Sequence, residues 1–227
     1  MSLASFVAAS LDELHAGRYD VALALACAAV DATAARHASV SAPSGNAKRF
    51  KGFLEDNMRV ITTFGFPGII ADGIRIKCTN VPDLKTDPNG YVSVSDIIYH
   101  AVRCGLLHEC VIDERIEFTK ETSVGDFDRK FEIPRNVIFG LLMAVILSPL
   151  NRAEVLDREY SVSIHGTRVD LQSLWGQGAN VIDAWRQDGR CAESGGPGSH
   201  HLLFGSPVYL TNRASAAARY GKPTSRS

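Results

Sequence analysis

Apolar positions recur along this chain mostly at helical spacing. Leu3, Phe6, Val7, Leu11 and Leu14 mark one stripe, and Gly17 ends it, which predicts a helix over residues 3 to 16. Arg18 to Ala38 predicts a second helix, rich in alanine. Small side chains let other helices approach closely, so this one is expected at the centre of a bundle. Residues 40 to 45 (VSAPSG) read as a loop. A third helix is predicted over Asn46 to Phe64, with Phe50, Phe53, Leu54, Asn57 and Ile61 on one side. Lys48, Arg49, Lys51 and Arg59 lie on or beside its outer face. Residues 65 to 90 are dense in turn signals (GFPG, ADG, VPDL, DPNG), which predicts an extended connector with one short strand at Ile74–Cys78.

The next stretch, Ser95 to Cys110 (SDIIYHAVRCGLLHEC), is the one around which the chain is organised. Ser95 and Asp96 are suited to cap a helix. Ile97, Ile98, Ala101, Val102 and Gly105 mark its buried face. Asp96, Tyr99, His100 and Arg103 lie opposite. Residues 111–118 (VIDERIEF) alternate apolar with charged, which predicts a half-exposed strand, with Lys130–Ile133 as its partner. Pro134 suits the first turn of the very apolar helix Asn136–Ser148, and Pro149 ends it. Residues 160–171 predict a hairpin: YSVSI, a His165–Gly166 turn, then TRVDL. Leu171 to Gln187 predicts a last helix carrying Trp175 and Trp185. The expected fold is mainly α, a helical bundle with small β additions. It occupies residues 1–188 and is followed by a Gly/Ser/Ala-rich tail, 189–227. The tail is expected to be loop-rich, with a short helix near 214–219.

Composition narrows the function classes. Of 227 residues, 45% are hydrophobic and 22% charged, enough for one domain with a substantial core. A formal net charge of −1 argues against coating nucleic acid by bulk charge, while leaving room for a local basic patch. The first residues, MSLASFVAASLDELHAG, have no basic region and carry Asp12 and Glu13, a poor secretory signal. The apolar run at 136–148 is shorter than the ~20 residues a bilayer requires. Five cysteines without a CxxC pair suggest free thiols and a cytoplasmic, reducing location.

The candidate chemistry is concentrated in RCGLLHE, where Arg103 and His108 have four residues between them. RNA cleavage by the neighbouring 2′-hydroxyl needs a proton acceptor, a proton donor and a cation near the phosphate oxygens. Histidine exchanges protons near neutral pH, and arginine stays charged and grips phosphate through two donors. Two other readings of the same residues stand beside this one. In the first, Arg103 pairs with Asp96 or Glu109 and His108 bonds a backbone carbonyl. In the second, His100, Cys104 and His108 form a stripe in which adjacent members could share a zinc ion, with further ligands such as Cys110 or His200–His201. The basic helix 46–59 could track phosphates, although Glu55 and Asp56 interrupt it, which favours a solvated face.

On the Arg103–His108 spacing, with an Ala-rich helix before it and the segment PRNVIFGLLMAVILSP, a hairpin and a WG-containing helix after it, the chain resembles the HEPN superfamily. The resemblance implies a helical bundle, a homodimer, and a metal-independent endoribonuclease of the toxin–antitoxin or phage-defence type, with no cofactor. Arg103 and His108, the two residues that match the family's motif, would be its catalytic residues. Beside them Tyr99, His100 and Glu109 are the candidate substrate-binding residues: Tyr99, one turn before Arg103, could bond substrate or stack a base, or simply edge the core. Its partners would be RNA and an antitoxin or regulatory protein. The alternative within the same resemblance is an inactive dimer that binds a nucleotide or protein. On a straight α-helix residues five apart point roughly 140° away from each other. A kink at Gly105, or a two-fold dimer beside the motif, would bring both groups to one phosphate.

Overall fold

The computed structural model describes residues 2–38, 45–66, 70–81, 84–100, 105, 112, 114–120, 123–164, 167–187 and 209–212. Among these, the helices are α1 (Leu3–His15), α2 (Tyr19–Ala38), α3 (Asn46–Asp56), α4 (Met58–Gly65), α5 (Val94–Ile97), α6 (Val137–Leu147) and α7 (Asn180–Gln187). Three small sheets accompany them. β1 (Arg75–Lys77) pairs antiparallel with β2 (Tyr91–Ser93). β3 (Ile116–Thr119), β4 (Gly125–Phe127) and β5 (Lys130–Pro134) lie in the order β3-β5-β4. β6 (Tyr160–Ile164), β7 (Thr167–Asp170) and β8 (Tyr209–Asn212) lie in the order β7-β6-β8. The fold is mainly α with small β additions.

Helix α6 is the core. Each of its residues from Val137 to Leu147 is buried. A helix that is apolar on every side must be covered on every side, and α2, α4 and α1 pack against it. The alanines of α2 make its cover close. Ala22, Ala26 and Ala29 are fully buried, and α2 also packs against α1 and α3, which is the central place expected of it.

α4 and α6 approach closely, and glycine permits it. A Cβ on Gly140 would lie 2.5 Å from the Ile61 carbonyl oxygen, and one on Gly65 would lie 2.9 Å from the Val137 Cα. Both obstacles are backbone, which cannot swing aside.

Polar groups then fasten the ends. Asn151 Nδ2 donates to the Val145 carbonyl at 2.7 Å and to Thr33 Oγ1 at 3.1 Å, satisfying one of the free carbonyls at the end of α6. Arg36, in the last turn of α2, donates to Asn151 Oδ1 at 2.8 Å and to Glu154 Oε1 at 2.6 Å. The other Glu154 oxygen accepts the Ala4 N–H at 2.9 Å, placing a carboxylate at the positive end of α1.

Several expectations need correction. The third helix is two, because Asn57 leaves helical geometry and its side chain donates to the Phe53 carbonyl at 2.9 Å. The last helix is also broken. A 3-10 turn at Leu171–Leu174 gives way to Gly176 and Gly178, both at positive φ, and α7 begins only at Asn180. A side chain at Gly176 would meet Arg152 Cβ at 2.5 Å. Pro134 ends β5 rather than opening α6. The strand expected over 111–118 runs from Ile116 to Thr119, and it pairs parallel with β5. The hairpin has the expected register, with Ile164 opposite Thr167, while its turn at 165–166 lies outside the described residues. Within the tail, 209–212 adds an antiparallel strand to β6. The short helix expected near 214–219 and the loop at 40–44 lie outside the described residues.

Gly140→Ala is expected to lower unfolding free energy by about 1–3 kcal/mol through overpacking. Gly52, inside α3 with open space around its Cα, is the control. Gly52→Ala is expected to raise stability by about 0.5–1 kcal/mol. Denaturant unfolding of both variants checks the pair.

Candidate functional site

The site is built where β2 hands the chain to α5. The helix cap is Ser93, not Ser95 or Asp96 as expected: its Oγ accepts the Asp96 N–H at 3.1 Å and donates to Asp96 Oδ2 at 2.6 Å. Ser95 is instead buried, and its hydroxyl donates to Glu55 Oε1 at 3.0 Å. That bond, with the ion pair from Lys51 Nζ to Asp96 Oδ1 at 3.0 Å, fixes α5 against α3. Ile97 and Ile98 are buried as expected.

Tyr99 departs from its expected place on the outer face. It is nearly buried, with its ring centre 5.6 Å from that of Phe50. The Lys51 ammonium sits 5.9 Å from its centroid, and His100 meets it edge-on at 4.9 Å. His100 is exposed. Residues 98–100 and 105 wind with a wider, i→i+5 turn than the α-helix that precedes them.

Of the residues expected to act, Tyr99 and His100 are therefore brought together, with Lys51 and Asp96. Arg103, His108 and Glu109 lie outside the described residues, as do Cys104 and Cys110. Sequence reasoning missed Lys85. It is exposed in the β1–β2 loop, next to the buried Leu84, and its charge reaches His100. No local pattern links positions 85 and 100, because their proximity is tertiary. The basic stretch expected on one helix is divided: Lys51 pairs with Asp96, Arg49 with Asn46, and Arg59, now on α4, with Asp183.

The electrostatics follow from these contacts. Partial burial lowers the His100 pKa below its ordinary value, Lys51 lowers it further, Asp96 opposes, and Lys85 adds to the lowering. Burial pushes the Asp96 carboxyl up, but the Ser93 hydroxyl and Lys51 outweigh this and hold it below the usual carboxylate range. Burial pushes the Cys78 thiol up to about 11, with Asp126 adding to it, so this cysteine is no nucleophile near neutral pH. Among the described residues no group of three or more His, Cys, Asp or Glu side chains is placed to hold a metal ion. No helix among them is long and apolar enough to cross a membrane.

A lowered histidine pKa means that the folded state resists protonation. His100 therefore destabilises the fold as pH drops below about 6.5 and contributes nothing above it. Asp96 acts the other way: its contribution is present above about 3.8 and is lost as pH falls through its folded pKa. An NMR titration of the His100 ring is expected to give a midpoint below 6.5, the ordinary histidine value. Lys51→Met is expected to raise that midpoint and Asp96→Asn to lower it. The same direction in both variants would contradict the assigned field.

Comparison with known proteins places the chain among relatives. The uncharacterized protein Rv1289 of Mycobacterium tuberculosis is 26% identical over 187 residues, covering 78% of this chain and 84% of its own length. The uncharacterized protein Mb1320 of Mycobacterium bovis is likewise 26% identical over 187 residues, with the same coverage. No solved structure matches the chain significantly. The match to the Rv1289 family extends over residues 2–191, from α1 through α7, and the chain belongs to that family.

Proposed function

We propose that this protein is a HEPN-like, metal-independent endoribonuclease of the cytoplasm, with His108 as general acid or base and Arg103 as the group that holds the phosphate. The observation that carries the reading is the Arg103–His108 spacing in RCGLLHE, in a segment whose start is capped by Ser93 and held by Lys51 and Glu55. On a straight α-helix Arg103 and His108 diverge, and a two-fold dimer beside the motif would bring both groups to one phosphate. The homodimer is proposed on that geometry and on the HEPN resemblance. An antitoxin or regulatory protein as a further partner rests on the same resemblance. The mainly helical architecture supports a HEPN-like bundle. Cys104, which follows Arg103 where HEPN proteins often carry a polar residue, favours the second reading: an inactive dimer that binds a nucleotide or protein.

One measurement separates these readings, and a second tests the dimer they share. Purified protein is expected to cleave RNA in the presence of EDTA, and Arg103→Ala or His108→Ala to lose ~10²-fold or more of that activity. Activity that vanishes with EDTA would point to a metal instead, and no cleavage of any RNA would leave the binding module. Light scattering is expected to show a homodimer with its interface at the Arg103–His108 segment. Leu106→Asp should split it or unfold the chain, because an unpaired buried charge costs several kcal/mol (roughly 3–5). A stable monomer at micromolar concentration would sink the dimer.

A further inference from the structure

We propose that Tyr91 and Phe127, each with a lysine as its cross-strand neighbour, form a stacking platform for the bases of single-stranded RNA. This deepens the ribonuclease reading by naming its substrate class, and it rests on that reading only for the choice of RNA.

The sheets build the same pair twice. In the β1–β2 ladder Tyr91 stands opposite Lys77, and the next pair, Ile76 and Val92, is buried. Alternation along the strands therefore sends Lys77 and Tyr91 outward. In the β4–β5 ladder Phe127 stands opposite Lys130, and the next residue of β5, Phe131, is fully buried. Directly opposed side chains share a face with Cβ atoms about 5 Å apart, so each ring has an ammonium within reach. Both rings are open to solvent: Tyr91 is 42% exposed and Phe127 45%.

Loop contacts hold the two pairs together. The Cys78 N–H donates to the Gly90 carbonyl at 2.9 Å, one step beyond the Lys77–Tyr91 pair. Thr79 then reaches β4: its N–H and hydroxyl donate to Asp126 Oδ2 at 2.5 and 2.6 Å. Asn80 reaches β5, its Nδ2 donating to the Lys130 carbonyl at 3.3 Å. These two residues clasp β4 just before Phe127 and β5 just opposite it. After Phe127 comes a two-residue turn, Asp128–Arg129, with Arg129 at φ 115. That region favours glycine, so the chain holds a guanidinium at the tip at a conformational cost.

The chemistry around the rings selects the ligand. Lys77 and Arg129 are exposed and have no carboxylate partner among the described residues. Lys130 meets Glu117 at 2.8 Å, but both side chains are about half exposed, which makes a weak pair. The two oxygens of Asp126 accept from Thr79 and Asn80, and Asp87 accepts from Arg75 at 3.2 Å. Asp128, in the turn, offsets one of the free cations. A protein-docking surface is enriched in aromatic residues and depleted of lysine; here lysine is the neighbour of both rings. Exposed rings among cations suit a single nucleic-acid strand, whose bases stack on the rings while its phosphates meet the cations. A duplex keeps its bases stacked on one another and offers no free face to a ring, which selects the single strand.

The test is binding of the full chain to a short fluorescent 2′-O-methyl RNA, which lacks the attacking hydroxyl, followed by anisotropy. Tyr91→Ala and Phe127→Ala are each expected to weaken binding roughly tenfold, the size of one stacked base. Tyr91→Phe, which keeps the ring, should bind like the wild type. Lys77→Met should reduce the slope of log affinity against log salt by about 0.7, one phosphate on a single strand. The same strand without its bases should bind no better to the wild type than to the alanine variants. Alanine variants that bind like the wild type, or a wild type that binds no single strand, overturn the platform. A duplex bound as tightly as the single strand overturns the assigned ligand. If the alanine variants change the oligomeric state by light scattering and leave RNA binding intact, the surface is a contact between copies and the platform falls. If the wild type cleaves no RNA but the variants lose binding as expected, the platform stands and the ribonuclease reading falls. If cleavage is found while the variants bind like the wild type, the reverse holds.

Discussion

The structure depends on one constraint: an eleven-residue helix, α6, with no polar face. Such a helix cannot lie at a surface, so the chain must surround it. Its cover comes from both ends of the sequence, with α1 and α2 before it, α4 beside it, and the 3-10 turns at Pro149–Asn151 and Leu171–Leu174 after it. Fully burying a leucine- or isoleucine-sized side chain is worth roughly 1.5–3 kcal/mol, so this helix is the largest single source of apolar stabilisation. The gain depends on contact, and contact here depends on two glycines. Where Gly140 meets the carbonyl of Ile61 there is no space for even a methyl group, which makes the α4–α6 pair one rigid unit.

Rigidity at the core fixes the position of the polar site at the edge. α3 runs into α4 through Asn57, so its register against α5 is inherited from the packing on α6. Lys51 and Glu55 are one turn apart on α3, and each reaches a different residue of the first turn of α5. Two such ties define both the position and the rotation of a short helix. The chain that continues from α5 therefore starts from a set direction, although the helix itself is only four residues long. The polar latch of Arg36, Asn151 and Glu154 does comparable work at the far end, closing α1, α2 and α6 on one another.

Much of this architecture is legible in the residues. The apolar patterns of α1, α2 and α6 give their bounds within a residue or two, because the patterns are long and their stops are chemical: Gly17 for α1 and Pro149 for α6. Where pattern and structure part, a single local event overrides periodicity. Asn57 interrupts a stripe that remains helical in period on both sides, and Gly176 with Gly178 breaks a run that is continuous by pattern. The cap is ambiguous because Ser93, Ser95 and Asp96 are all good cap residues, and only the pairing of β2 with β1 decides where the helix begins. An α-helical wheel places Tyr99 outside, but the wider turns at 98–100 rotate the residues that come after α5, and Phe50 provides a surface that the wheel cannot anticipate. Lys85 illustrates a limit of another kind. Its relation to His100 exists only after the β1–β2 hairpin has formed.

The last strand has a consequence for how the molecule comes into being. β8 pairs with the much earlier β6, from Tyr160↔Asn212 at one end of the ladder to Ser163↔Tyr209 at the other. Until 209–212 has been synthesised, β6 has a row of unpaired N–H and C=O groups on that side, while β7 already covers the other. An unpaired strand edge is a template for another chain. The newborn protein thus carries an open strand edge at a late stage of synthesis, when most of the helical core has already been made. Crowded nascent chains on one messenger would meet at β6 before any of them had its own β8 to offer.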